Sequence, residues 1–146
     1  MQVLLCSSEK PLGAIVEAAE ALRAPCLLLS PEAMKGKTGL ELEAAFYLAA
    51  RAFEEKSNIS SKLSNEALLF LAREMNFASA LRRIGATDAR EFVLVCEKNV
   101  PLVKVKRELG LKSAKKIKLS RMGRKKGAYF EGELAVEQMA LARARN

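Results

Sequence analysis

The sequence predicts a mixed α/β fold, with helices packed around a small sheet and residues 1–146 forming one domain. Three observations carry that expectation. Short apolar runs of strand length at 2–6, 26–29 and 91–96, with a shorter one at 117–119, alternate with segments of helical period. Hydrophobic residues make up 50% of the chain and charged residues 29%, a balance that buries a core. No linker or internal repeat divides the 146 residues.

Each element has its own local cause. Residues 2–6 read as a strand. From Pro11 to Leu22 the apolar residues Leu12, Ile15, Val16 and Ala19 fall near i, i+3, i+4 and i+7, the period of a helix. Pro25 breaks that run, and Cys26 to Leu29 form a short strand. Ser30-Pro31-Glu32 predicts a helical turn, with Ser30 as N-cap and Pro31 at the first helical position. After a polar connector at 36–39, a longer helix runs from Leu40 to about Lys56, with Leu42, Ala45, Phe46, Ala49 and Phe53 on one face.

Ser64 or Asn65 is expected to cap the next helix, which runs to about Met75 and is apolar nearly all round, hence central. Asn76 opens a short helix carrying Phe77, Ala80, Leu81 and Ile84 on one side and Ser79, Arg82 and Arg83 on the other. Gly85 is the expected C-cap. A strand at Glu91–Cys96 follows, then a helix from Pro101 to Leu109 closed by Gly110, a strand at Ile117–Leu119, and a closing helix from about Glu131 to Arg145. That last helix is apolar on two sides. Leu134 and Leu141 lie on one and Val136 and Met139 on the other, so it needs two packing partners, the core and either more core or another protein.

Several function classes lose their support here. The chain has no histidine, the commonest general base near neutral pH, and no arrangement of carboxylates or lysines replaces it. Its three cysteines, Cys6, Cys26 and Cys96, are far apart in sequence and sit in apolar runs, where a thiol is expected to act as a small buried hydrophobe rather than in a disulfide or metal site. Gly36-Lys37-Thr38 resembles the end of a phosphate-binding loop, but Pro31 stands where the first glycine is required. No apolar run is long enough to span a membrane, and the N-terminus lacks a basic leader, which predicts a cytoplasmic protein.

The net charge of +8 is concentrated. Lys104 to Lys126 holds eleven Lys or Arg and one acid, Glu108, while the remainder is slightly acidic. Such a cluster attracts phosphate backbones without reading sequence, or else is a solvated loop. The segment Asn76–Gly85 is the second candidate for RNA contact. The start of its helix exposes backbone amides, Phe77 could stack on an unpaired base, and Arg73, Arg82 and Arg83 suit phosphates. Alternatively, Phe77 belongs to the core stripe and the arginines are solvated.

Asn58-Ile59, the apolar helix, and then Asn76-Phe77-x-x-Ala80-Leu81-Arg82-Arg83-Ile84-Gly85 together resemble the kinase-binding small-subunit family of the KEOPS complex. The likeness is best over about residues 44–97. AFYLAARAFEEKSNIS looks like the family's helix leading to an Asn-Ile step, EALLFLAREMNFASALRRIGA like its apolar helix and following segment, and AVEQMAL like its closing motif. Position 77 is Phe where the family generally has Ile. The length and the lack of extensions are those expected of an archaeal member.

The resemblance implies a largely antiparallel sheet and a non-catalytic subunit, with no cofactor and no metal. Such a subunit docks on and stimulates the small kinase-like ATPase of a complex that installs threonylcarbamoyl on the adenosine beside the anticodon of tRNA. It also recruits tRNA by its single-stranded 3′ CCA end. On this chain that binding role falls on Asn76, Phe77 and Ser79 with Arg73, Arg82 and Arg83, and on Lys62 ahead of the apolar helix. The alternative is a generic RNA-binding module working through the basic 104–126 stretch.

Overall fold

The computed structural model describes residues 1–119 and 137–143. It is mixed α/β: helices accompany a four-stranded, wholly antiparallel sheet among the described residues. The chain forms two compact units, one from Met1–Lys35 with Ile84–Lys118, the other from Gly36–Arg83 with the described part of Leu119–Asn146. No helix among the described residues is long and apolar enough to cross a membrane.

The first unit holds the sheet, in the order β2-β3-β1-β4 with β1 Gln2–Ser7, β2 Cys26–Leu29, β3 Phe92–Cys96 and β4 Ser113–Lys116. β3 (FVLVC) is buried along its whole length, and β1 pairs with it from Gln2↔Cys96 to Cys6↔Phe92. One face of the sheet meets helix α1 (Leu12–Ala19), the 3-10 turn Glu20–Leu22, and helix α6 (Leu102–Leu109). Leu4, Phe92, Leu94, Ile15, Val105 and Leu109 close that core. Gln2 is buried among them in the sheet, and its side-chain oxygen accepts the Val100 amide at 2.8 Å.

The expected helix from Pro11 to Leu22 is thus an α-helix that tightens into a 3-10 turn at Glu20, closed by Arg23 in the left-handed conformation. The turn helix α2 (Pro31–Met34) has the predicted Ser30 cap, whose hydroxyl accepts the Ala33 amide at 3.1 Å. The last strand lies at Ser113–Lys116, not at the predicted Ile117–Leu119. Gly110, left-handed at φ 63°, turns the chain at once after α6 and puts the Lys112 amide 2.7 Å from the Ser7 carbonyl. Pairing therefore starts earlier than side-chain propensity suggests, with Ala114 buried and Lys115 and Lys116 exposed. Ile117 still donates its amide to the Val3 carbonyl.

Gly85 is not the predicted left-handed cap. Ser30 donates to the Ile84 carbonyl and Ala86 to the Leu28 carbonyl, both at 3.0 Å, so Gly85, directly after α5, forms an isolated antiparallel bridge with Leu29. Backbone pairing to the sheet outcompetes the cap there.

The second unit is helical. Helix α3 (Gly39–Glu54) opens on a reciprocal capping box, Thr38 with Glu41. Helix α4 (Leu63–Ala72) packs against it, buried from Glu66 to Ala72. Neither Ser64 nor Asn65 caps α4, because Lys62 occupies that place without a side-chain cap. The anchor is instead Glu66, fully buried, whose carboxylate reaches back to accept the amides of Ile59 (2.9 Å) and Ser60 (2.9 Å) and receives the Arg143 guanidinium at 2.6 Å. Arg143 also lies over the Phe70 ring, 4.1 Å from its centroid.

Residues 137–143 are helical, with Met139 buried and Leu141 half exposed. Leu134, Val136 and Arg145 of the predicted closing helix lie outside the described residues, as do Arg121 and 124–126 of the basic stretch.

Replacing Glu66 by Ala strands a buried guanidinium and two amides. The expected loss is about 3–5 kcal/mol of unfolding free energy in a urea titration, with Glu66→Gln losing less because one amide acceptor survives.

Candidate nucleic-acid interface at the end of helix α4

Helix α4 stops at Ala72, three residues before the predicted Met75, because Arg73 turns left-handed at φ 56°. The amide of Arg73 reaches the Phe70 carbonyl (3.1 Å) and that of Glu74 the Leu69 carbonyl (3.0 Å), the paired bonds that close a helix end. Glycine normally occupies such a position, since a Cβ there costs about 1–2 kcal/mol. A cation at the negative end of the helix recovers part of that cost.

Four residues later the chain starts again as helix α5 (Phe77–Ile84). Asn76 is its N-cap. The side-chain Oδ1 accepts the Ser79 amide at 3.1 Å, and its carbonyl accepts the Ala80 amide at 3.0 Å. Asn76 is thus a cap through its oxygen, while its NH2 group keeps its donor capacity. Helix geometry leaves the Phe77 and Ala78 amides as the unpaired donors of the first turn.

The predicted apolar stripe of α5 splits in two. Ala80 and Ile84 are buried, but Phe77 is 38% exposed and Leu81 42% exposed. Phe77 is therefore not a core side chain. Phe77 and Leu81 are one turn apart on the same face, an apolar surface beside a helix start.

The polar side is tightly arranged. Arg82 donates through Nη2 to the Ser79 hydroxyl at 3.2 Å, holding both over the first turn. Arg83 turns back to α4, giving Nη1 to the Ala72 carbonyl at 3.2 Å and to Glu74 at 3.3 Å. Arg73 hydrogen-bonds Gln138. Of the predicted contact residues, Arg73, Asn76, Phe77, Ser79, Arg82 and Arg83 thus gather at the α4–α5 corner. Lys62 does not join them, since it precedes the first residue of α4, about 15 Å of helix away from Arg73.

Lys37 was missed as a member of this cluster. Burial depresses its ammonium pKa below the usual lysine value. Glu41 opposes that shift, and repulsion from Arg73 and Arg83 adds to it. Lys37 is itself paired with Glu41 across 4.0 Å and Arg83 with Glu74, so Lys37 adds a partly neutralised cation near Arg73 and Arg83. In the sequence Lys37 lies far from the other two and carries no spacing signal.

Neither protein-family models nor curated proteins match this chain.

Two substitutions separate the backbone roles here from the charge. Asn76→Ala removes the cap and is expected to lower stability by about 1 kcal/mol. Arg73→Gly deletes a guanidinium yet relieves the left-handed strain, so its unfolding midpoint in denaturant is expected to equal or exceed the parent's.

Proposed function

We propose that this chain is a non-catalytic, cytoplasmic subunit of the KEOPS type that holds the single-stranded 3′ CCA end of tRNA at the α4–α5 corner. It hands that tRNA to a complex containing a small kinase-like ATPase, on which it docks and which it stimulates. The observation that carries the reading is the half-exposed Phe77 at a capped helix start, with Arg82, held to Ser79, on another side of the same helix and with Arg73 and Arg83 at the same corner. An aromatic face stacks on any unpaired base, amides and guanidiniums hold phosphates, and duplex RNA has no splayed base to offer.

The residues divide the work. Phe77, helped by Leu81, takes a base. The Phe77 and Ala78 amides and the Asn76 NH2 face a phosphate or a base edge. Arg82, held to the Ser79 hydroxyl, supplies an exposed charge. Arg83 has a second duty, because its bond to the Ala72 carbonyl and its pairing with Glu74 hold the two helix ends together. A charge reversal at 83 would place two acids side by side and disturb the corner itself. Arg82, tied among the described residues to Ser79, is the cleaner probe.

Arg82→Glu is expected to weaken binding of deacylated tRNA several-fold at near-physiological salt without moving the unfolding midpoint. In the same assay, tRNA trimmed of its CCA end should bind the parent chain much more weakly than intact tRNA. Equal affinity for both would transfer the binding to the basic stretch that starts at Lys104.

A further inference from the structure

Cys26 and Cys96 are seventy residues apart in sequence and directly opposite each other across β2 and β3. The Glu97 amide donates to the Pro25 carbonyl at 2.9 Å, which makes 25/97 a hydrogen-bonded pair. By the alternation of an antiparallel ladder, 26/96 is then a non-hydrogen-bonded pair, the kind with the closer Cα atoms, about 4.5 Å. That separation lies inside the range a disulfide spans. Both side chains point to the same face of the sheet, and the Cys26 thiol donates to the Cys96 sulfur at 3.0 Å.

Cys96 is fully buried, whereas Cys26, on the edge strand, is only partly so. Solvent-borne reagents therefore meet Cys26 first. The shared hydrogen bond shifts the Cys96 thiol down from its ordinary value and that of Cys26 up. Cys6 takes no part. It lies opposite Phe92, four residues along β3 from Cys96 or roughly 13 Å of strand, and burial, with a smaller repulsion from Cys96, pushes its thiol up to about 12.

We propose that Cys26 and Cys96 form a reversible disulfide by exchange with a low-molecular-weight disulfide. Cys26, the sulfur that solvent reaches, gives up its proton as it attacks the reagent, and the displaced small thiolate takes that proton up. Cys96 then attacks the Cys26 sulfur of the mixed disulfide and displaces the second. Two protein S–H bonds and one reagent S–S bond break, and one protein S–S bond and two small-thiol S–H bonds form. The protein loses two electrons and two protons, and the reagent gains them.

The bond would clamp the edge strand β2 to the central strand β3. Leu28 of β2, with Ser30 just past the strand's end, also holds the Ile84–Ala86 segment that leaves α5. The inference is independent of the RNA-binding reading.

The full chain, equilibrated in graded mixtures of reduced and oxidised glutathione, then alkylated and weighed, tests this. The expected product has lost two hydrogens, keeps one alkylatable thiol at Cys6, and yields a linked peptide pair containing Cys26 and Cys96. Its thermal midpoint should rise by on the order of 5 °C, because the cross-link closes a long loop of the unfolded chain. Cys26→Ser should abolish the hydrogen loss. Three alkylatable thiols at every ratio, a glutathione adduct that persists on Cys26, or a link through Cys6 would each overturn the proposal.

Discussion

A carboxylate removed from water must have its oxygens met, and around Glu66 everything in the helical unit is arranged to do so. Its two oxygens receive two backbone amides from the loop ahead of α4 and a guanidinium from the segment 137–143. Three separate stretches of chain therefore converge on one side chain. The pairing is costly to assemble, because two ions lose their hydration. It also fixes where α4 begins, and through the rigid length of that helix where Arg73 turns and where α5 starts. The candidate site stands one helix length from the charge that positions it.

Much of this was legible in the sequence. Apolar runs of the right length at 2–6, 26–29 and 91–96 become three of the four strands, and the helices fall where the periodicity puts them. Ser30-Pro31 and Asn76 cap as their chemistry dictates. Three of the misplacements share a cause. The start of α4, the end of α5 and the position of β4 are each decided by a partner distant in sequence: Glu66 reaching back to Ile59, β2 capturing Gly85, and Ser7 capturing Lys112. Local propensity carries no information about such partners. The Cys26–Cys96 contact is the same case, since strand register alone brings the two thiols together. For the site itself, residue types and spacing were visible, but not which face of α5 stays open.

The exposure of Phe77 and Leu81 weighs against a purely structural role for α5. A short helix with only Ala80 and Ile84 buried gains little from packing, and three of its polar side chains are spent on its own ends and neighbours. Such a helix is held by caps more than by core. Its geometry survives changes on the outer face, so that face can be tuned for a ligand without unfolding the corner. Arg73 makes the opposite bargain, with a strained backbone kept beside a concentration of positive charge.

The two borders of the sheet are treated differently. Along β2 the outer backbone groups are partly occupied by the chain's own Ile84–Ala86 segment. β4 has no further strand beside it among the described residues, and its exposed side chains include Lys115 and Lys116, with Lys118 just beyond. An open strand border invites a second molecule to add its own strand, and lysines spaced along it make that approach repulsive. Lys115, Lys116 and Lys118 would thus make edge-to-edge pairing through β4 repulsive, an effect that weakens wherever those ammonium groups are neutralised.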